Sequence, residues 1–215
     1  MTSNATETEQ SSSLPVALED IERARDLLDG VIVPTPLDHS RALGRITGST
    51  VHLKCENLQR AGSFKVRGAY VRMARLSPEE RARGVVAASA GNHAQGVALA
   101  AAKLGVKARI YMPLGVALPK LQATRDHGAE VVLLGNNVDE ALAAAQRYSE
   151  ESGAVVIHPF DHEDIVAGQG TIGLEILEQD PEVDTIIMGI GGGGLLAGVA
   201  AVSYTHLTLP TILLV

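Results

Sequence analysis

The sequence predicts an α/β protein built on open, mainly parallel sheets with helices on both faces. Three observations carry that prediction. Short apolar runs alternate with helix-periodic stretches: GVVAASA, VKARIYMP, AEVVLLG and AVVIHPF are each followed by one. Strands apolar on both faces belong to parallel sheets that helices cover on each side. Glycines punctuate the pattern, with Gly105, Gly128 and Gly153 each standing where a helical stretch stops. Finally, 46% of the 215 residues are hydrophobic, enough to fill a core for one large domain or two smaller ones.

Taken in order, residues 1–13 (MTSNATETEQSSS) are polar and read as a disordered leader. LEDIERARDLLDG places Ile21, Ala24, Leu27 and Leu28 at helical spacing and closes on Gly30. VIVPTPL breaks the helix with two prolines, and VHLKCEN reads as a strand in which Cys55 is a small buried hydrophobe. SFKVRGAYVRMARL is a helix with Ser63 as its cap. The strand and helix alternation then runs to DHEDIVAGQGTIGLEILEQD, a helix, and to VDTIIMGIG, a strand that enters GGGGLLAGVAA. The last fourteen residues, VSYTHLTLPTILLV, carry no Asp, Glu, Lys or Arg and are rich in threonine and β-branched residues. They resemble a translated sequencing adapter, so residues 202–215 are expected to be a non-native tail that interrupts the preceding helix. On that reading the fold is incomplete at its C-terminus.

Charge and composition exclude several functions. A net charge of −7 with no basic cluster argues against nucleic acid and against an anionic membrane surface. Aromatic residues make up only 3%, so bases would find little to stack on. A single cysteine rules out an internal disulfide framework. The opening residues lack the basic start and apolar run of a signal peptide, and no stretch approaches the ~18 apolar residues of a membrane span. These features predict a cytoplasmic protein.

Three segments at strand-to-helix junctions carry candidate chemistry, since open α/β sheets bind ligands there. In IGGGGLLAG, four consecutive glycines (Gly191, Gly192, Gly193 and Gly194) open a helix, so bare backbone N–H groups and the helix dipole can meet a phosphate. The pattern is neither a Walker loop nor a good dinucleotide fingerprint. In SAGNHAQG, Ser89, Asn92 and exposed N–H groups at a helix start suit a carboxylate. The bland alternative is an ordinary capped helix. His93 there is more often structural than a base, and no second ligand stands at metal spacing from it; His158 and His162 form no recognised set either. In AGSFKVRGAY, Lys65 lies in an apolar setting at a helix N-terminus, where desolvation and the dipole lower its pKa and leave an amine able to attack a carbonyl. Lys54 and Lys120 lack that turn context. Amine, phosphate cradle and carboxylate loop together are what pyridoxal 5′-phosphate chemistry on an amino acid requires.

KCENLQRAGSFKVRGA, SAGNHAQGVA and GIGGGGLLAG, in that order, resemble the serine/threonine dehydratases, with the threonine ammonia-lyases nearest. The resemblance spans about residues 14–201. It implies the two-domain fold of the tryptophan synthase β-subunit (fold type II of the pyridoxal phosphate enzymes). The larger domain would take 14–77 and 157–201, and the smaller 78–156. It implies that Lys65 carries the cofactor and acts as general base, and that Asn92 contacts the pyridine 3′-oxygen. Gly191 to Gly194 with Leu195 would hold the phosphate, and Ser89, Ala90, Gly91, Asn92 and His93 would receive the substrate carboxylate. The activity implied is deamination of L-threonine to 2-oxobutanoate and ammonia, with L-serine as a slower substrate, in isoleucine synthesis or threonine breakdown. Serine racemases of this kind place a serine where Ala90 stands, so a racemase or serine dehydratase is the nearest alternative. A non-catalytic binder of a phosphorylated metabolite is the alternative outside enzymes. The residue that meets the pyridine nitrogen and the acidic ligands of a cation site follow the glycine loop in that family, and are expected beyond this chain. A homo-oligomer is expected of the whole protein, and no metal site is predicted within these residues.

Overall fold

A computed structural model describes residues 15–206, with side chains to 203. The leader and most of the expected tail lie outside the described residues. Helix α1 (Leu18–Leu28) buries Ile21, Ala24 and Leu28, while Leu27 stays half-exposed. Strand β1 (Leu37–His39), helix α2 (Arg41–Thr47) and strand β2 (His52–Lys54) follow. Two 3-10 turns, Glu56–Leu58 and Arg60–Gly62, lead into α3 (Lys65–Ala74). After α4 (Pro78–Arg83) come β3 (Val85–Ala88), α5 (Asn92–Leu104), β4 (Ala108–Met112), α6 (Leu118–Asp126), β5 (Glu130–Leu133), α7 (Val138–Ser152) and β6 (Val155–Val156). Two long helices close the described chain, α8 (Glu163–Gln179) and α9 (Gly194–His206).

The main sheet is parallel throughout, in the order β5-β4-β3-β6. Its two faces alternate along each strand. Val85, Ala87, Ala108, Ile110 and Met112 face α5, α6 and α3 in one apolar cluster. Val86, Ala88 and Tyr111 face Ala141, Ala144 and Ala145 of α7 in another. This is the parallel α/β arrangement that the apolar strands predicted. The chain builds outward from β3 to β4 and β5, then returns to lay β6 on the other side of β3. The reversal makes a crevice between the C-terminal ends of β3 and β6, where such sheets bind ligands.

Helix α8 joins the rest. Gly168 meets Gly68 of α3 so closely that a Cβ on Gly168 would lie 2.6 Å from the Gly68 Cα. Farther along, a Cβ on Gly170 would lie 3.0 Å from the carbonyl oxygen of Gly198 in α9. Two glycine crossings thus dock the helix bearing Lys65 and the helix that follows the glycine run onto one spine.

Four expectations change. VHLKCEN does form a strand, but β2 pairs antiparallel with β1 in a two-stranded ribbon, and Leu53 is 46% exposed. Among the described residues that face is left open, and Cys55 is only partly buried; its Sγ lies 3.4 Å from the Leu53 carbonyl oxygen. VDTIIMGIG is not a strand: a strand needs a hydrogen-bonded neighbour, no described strand pairs with it, and Ile187 is 86% exposed. Helix α3 begins at Lys65 with Phe64 as its N-cap, not Ser63, although the Ser63 hydroxyl accepts the Lys65 N–H at 3.4 Å. The expected break after Ala201 is absent among the described residues. Helix α9 continues to His206, and Val202 is fully buried against Gly173.

Candidate active site

Lys65 is placed by the turn that precedes it. Ala61 and Gly62 both adopt left-handed backbone angles (φ 65° and 68°), which turns the chain into α3. For alanine that conformation is uncommon and mildly strained, and strain of this kind collects at functional sites. Two residues beyond Lys65, Arg67 is fully buried and locks the helix. Its guanidinium donates to both carboxylate oxygens of Glu56 at 2.8 and 2.9 Å, to Glu175 at 2.7 Å and to the Thr171 hydroxyl at 3.0 Å. Burial works against the charge, but the two carboxylates hold Arg67 above its ordinary range.

The Lys65 side chain is half-buried, and its Nζ donates to the carbonyl oxygen of Pro159 at 2.8 Å. Burial lowers its pKa, because the cation loses more hydration than the neutral amine does. With Phe64, Pro159, Phe160 and Gln169, Lys65 lines a cavity of about 180 Å³ that Gly191 to Gly194 and Leu195 also line. The sequence-predicted amine and glycine run therefore share one chamber.

The glycine run opens α9. The first of the helix's N–H groups with an intrahelical partner is that of Ala197, on the Gly193 carbonyl at 2.8 Å. The N–H groups of Gly194, Leu195 and Leu196 precede it and, among the described residues, are the unpaired donors of a helix N-terminus. Gly193 sits at φ +86°, a conformation open to glycine. Gly191 has nothing within 4 Å of its Cβ direction, so an anion can approach its backbone. Gly192 and Gly194 are bare for a different reason, since a Cβ on either would strike Phe160. A lysine amine, unpaired helix N–H groups and open glycine backbone are the donor set that a phosphorylated aldehyde requires, and the residues present fit pyridoxal 5′-phosphate.

The residues Ser89, Ala90, Gly91, Asn92 and His93 do not line the cavity. They stand beside it, held by two contacts. Gly96 of α5 presses on the start of α3, where a Cβ would lie 2.9 Å from the Lys65 carbonyl carbon and the Val66 nitrogen. His93 is buried, with its Nε2 2.8 Å from the Ile157 carbonyl oxygen across the β3–β6 crevice. Burial pushes the His93 pKa down to about 4, and the nearby Lys65 and His158 add to that. His93 is thus a neutral strut that donates to a carbonyl. The Ser89 hydroxyl accepts the Gly91 N–H at 3.1 Å and shapes the loop, while Asn92 is exposed at the first position of α5.

The segment after β6 completes the site, and sequence reasoning gave it no role. The His158 Nδ1 accepts N–H groups from Phe160 and Asp161 at 3.4 and 2.8 Å, folding a tight turn. That turn aims the Pro159 carbonyl at Lys65 and the Phe160 ring at Gly192. The place of this segment at the end of a strand adjoining β3 was the available signal. Among the described residues no group of three or more His, Cys, Asp or Glu could hold a metal, and no helix is long and apolar enough to cross a membrane.

Comparison with known proteins decides the family. Residues 28–215 match the family described as pyridoxal-phosphate dependent enzyme. The chain belongs to that family. It is 54% identical over 185 residues to the L-threonine ammonia-lyase of Thermotoga maritima, covering 86% of this chain and 46% of that protein. Among solved structures, threonine deaminase isoform 2 from Solanum lycopersicum superposes with a TM-score of 0.81 at 41% identity, covering 89% of this chain and 55% of that one. Maize serine racemase superposes with a TM-score of 0.85 at 37% identity, covering 88% and 58%. The chain spans about half the length of the curated relatives it matches.

Proposed function

We propose that this chain forms the cofactor-binding half of a pyridoxal 5′-phosphate-dependent lyase that deaminates L-threonine to 2-oxobutanoate and ammonia, with L-serine as a secondary substrate. The observation that carries the reading is the shared cavity, which Lys65 and Gly191 to Gly194 both line. On this reading Lys65 binds the cofactor aldehyde. The phosphate lies on the N–H groups from Gly191 to Leu195, and Asn92 serves the ring's 3′-oxygen. Ser89, Ala90, Gly91, Asn92 and His93 take the substrate carboxylate.

The chain's own groups account for the proton chemistry. When bound, the cofactor supplies a pyridinium ring that accepts the electron pair left by the α C–H bond. Lys65, whose pKa burial lowers and whose amine the Pro159 carbonyl steers, takes the α-proton as general base. His93, whose ring stays neutral and bound to Ile157, positions the loop without joining the transfer.

Two observations favour deamination over racemisation. The curated relative cited, from Thermotoga maritima, is an L-threonine ammonia-lyase. Ala90 also offers no proton to the opposite face of the substrate. Borohydride reduction of the cofactor-loaded protein, followed by peptide mass spectrometry, is the test. The expected result is a pyridoxyl group on the Lys65 peptide, together with 2-oxobutanoate from L-threonine. A label on Lys54 or Lys120, or none at all, overturns the reading.

A further inference from the structure

Gln169, on α8, is 1% exposed, and of the side chains lining the cavity only it and Lys65 carry a polar group. Its place follows from the two glycine crossings that flank it. Gly168 meets Gly68 of α3 and Gly170 meets Gly198 of α9, so Gln169 stands where the lysine-bearing helix and the glycine-run helix both dock. Gly68 makes room for the carboxamide: a Cβ there would lie 2.6 Å from the Gln169 Nε2 and 3.0 Å from its Cδ.

The carboxamide is only half satisfied. Its Oε1 accepts the Gly68 N–H at 3.4 Å, a long bond that settles which end of the amide is which. The Nε2, with two N–H donors, has no hydrogen-bond partner among the described residues. Buried polar groups are almost always paired. Nor is the Nε2 sealed off: the unpaired, fully enclosed side-chain nitrogens among the described residues are those of Arg72 and Arg81, and Gln169 opens on the cavity.

We propose that Gln169 is a cofactor-binding residue, donating from its Nε2 to a phosphate oxygen of pyridoxal 5′-phosphate beside the N–H groups of the glycine run. The inference rests on the proposed function and deepens it, adding a side-chain donor to a phosphate site otherwise built from backbone. Lys65 is committed to the aldehyde, which leaves Gln169 as the polar side chain of the cavity free to serve the phosphate. A phosphate has acceptors on every side, so it satisfies an unpaired amide donor, and bonds to a charged acceptor are the strong ones.

The test compares Kd, by equilibrium dialysis, for pyridoxal 5′-phosphate and for pyridoxal, which has the aldehyde and ring but no phosphate. In Gln169→Leu the pyridoxal 5′-phosphate Kd rises about tenfold, the size of one hydrogen bond to a charged acceptor, while the pyridoxal Kd stays within about twofold. Gln169→Met, which keeps the length of the side chain, gives the same split. Thermal melts of both variants without cofactor do not fall below the wild type, because the amide's hydrogen bond to the protein is the long one to Gly68. Equal weakening of both ligands, or of neither, overturns the proposal. So does a cofactor-free melt far below the wild type, which would make Gln169 a structural residue. The borohydride label separates the two readings: a labelled Lys65 peptide in the wild type with no split between the ligands sinks only the role of Gln169. An unlabelled wild-type protein sinks the proposed function itself.

Discussion

Replacing Arg67 by methionine removes a buried cation while keeping much of its volume. Four hydrogen bonds disappear, two to Glu56 and one each to Glu175 and Thr171. The two carboxylates, 13% and 15% exposed, then lose their shared counter-ion. Breaking one side of a buried ion pair costs about 3–5 kcal/mol. The lower end applies here, about 3 kcal/mol, because Glu175 keeps Lys54 and Glu56 keeps the Thr35 hydroxyl. Urea unfolding of the wild type and of Arg67→Met at neutral pH measures the difference. The deficit should also depend on pH. Burial alone would raise the Glu175 pKa, but Arg67 and Lys54 hold it below 4.5. A depressed carboxylate pKa contributes stability above the unfolded value, and that contribution is lost as pH falls through the folded value. The part owed to Arg67 is missing in the variant, so the gap between the two proteins narrows below about pH 4.5. A deficit under about 1 kcal/mol, the worth of an exposed pair, with no pH dependence, would refute the view of Arg67 as the buried lock on the lysine-bearing helix.

Three further outcomes are expected. Gly168→Ala places a methyl against the Gly68 backbone and forces α3 and α8 apart; overpacking of this kind costs about 1–3 kcal/mol, and a thermal melt unchanged from wild type would contradict the crossing. Gly192→Ala drives a Cβ into the Phe160 ring and should weaken cofactor binding in equilibrium dialysis; unaltered affinity would mean that the loop is not held by that ring. His93 protonates near pH 4 in the folded protein and near 6.5 when unfolded. Its lowered pKa means that stability is lost as pH falls from 6.5 toward 4, by about 3 kcal/mol in all. His93→Gln, which can still donate to Ile157, should flatten that slope, and an identical slope in urea titrations would sink the assignment.

Much of the fold was legible because local chemistry repeats. Gly105 and Gly153 take the left-handed angle that ends α5 and α7, as their positions implied. The period-two faces of β3 and β4 follow from runs such as VVAA and ARIYM. Lys65 stood out because a lysine flanked by Phe64 and Val66 is an expensive choice for a buried helix start. The glycine run stood out because four residues without side chains have few uses besides exposing backbone.

What the chain alone determined is the set of reactive groups and the strand and helix rhythm, since both depend on neighbours within a few residues. Tertiary structure decided which distant groups meet. Phe160 against Gly192, Gly96 against the Lys65 backbone, Gly168 against Gly68 and Lys120 over Gly91 are contacts between elements far apart in sequence. The same dependence explains the strand that did not form at 183–191, because its hydrogen bonds need a partner that local sequence cannot supply. Backbone angles and helix stops are settled by short-range sterics. Close approach between helices is settled by the packing of the whole core, where one absent methyl group decides whether two backbones can touch.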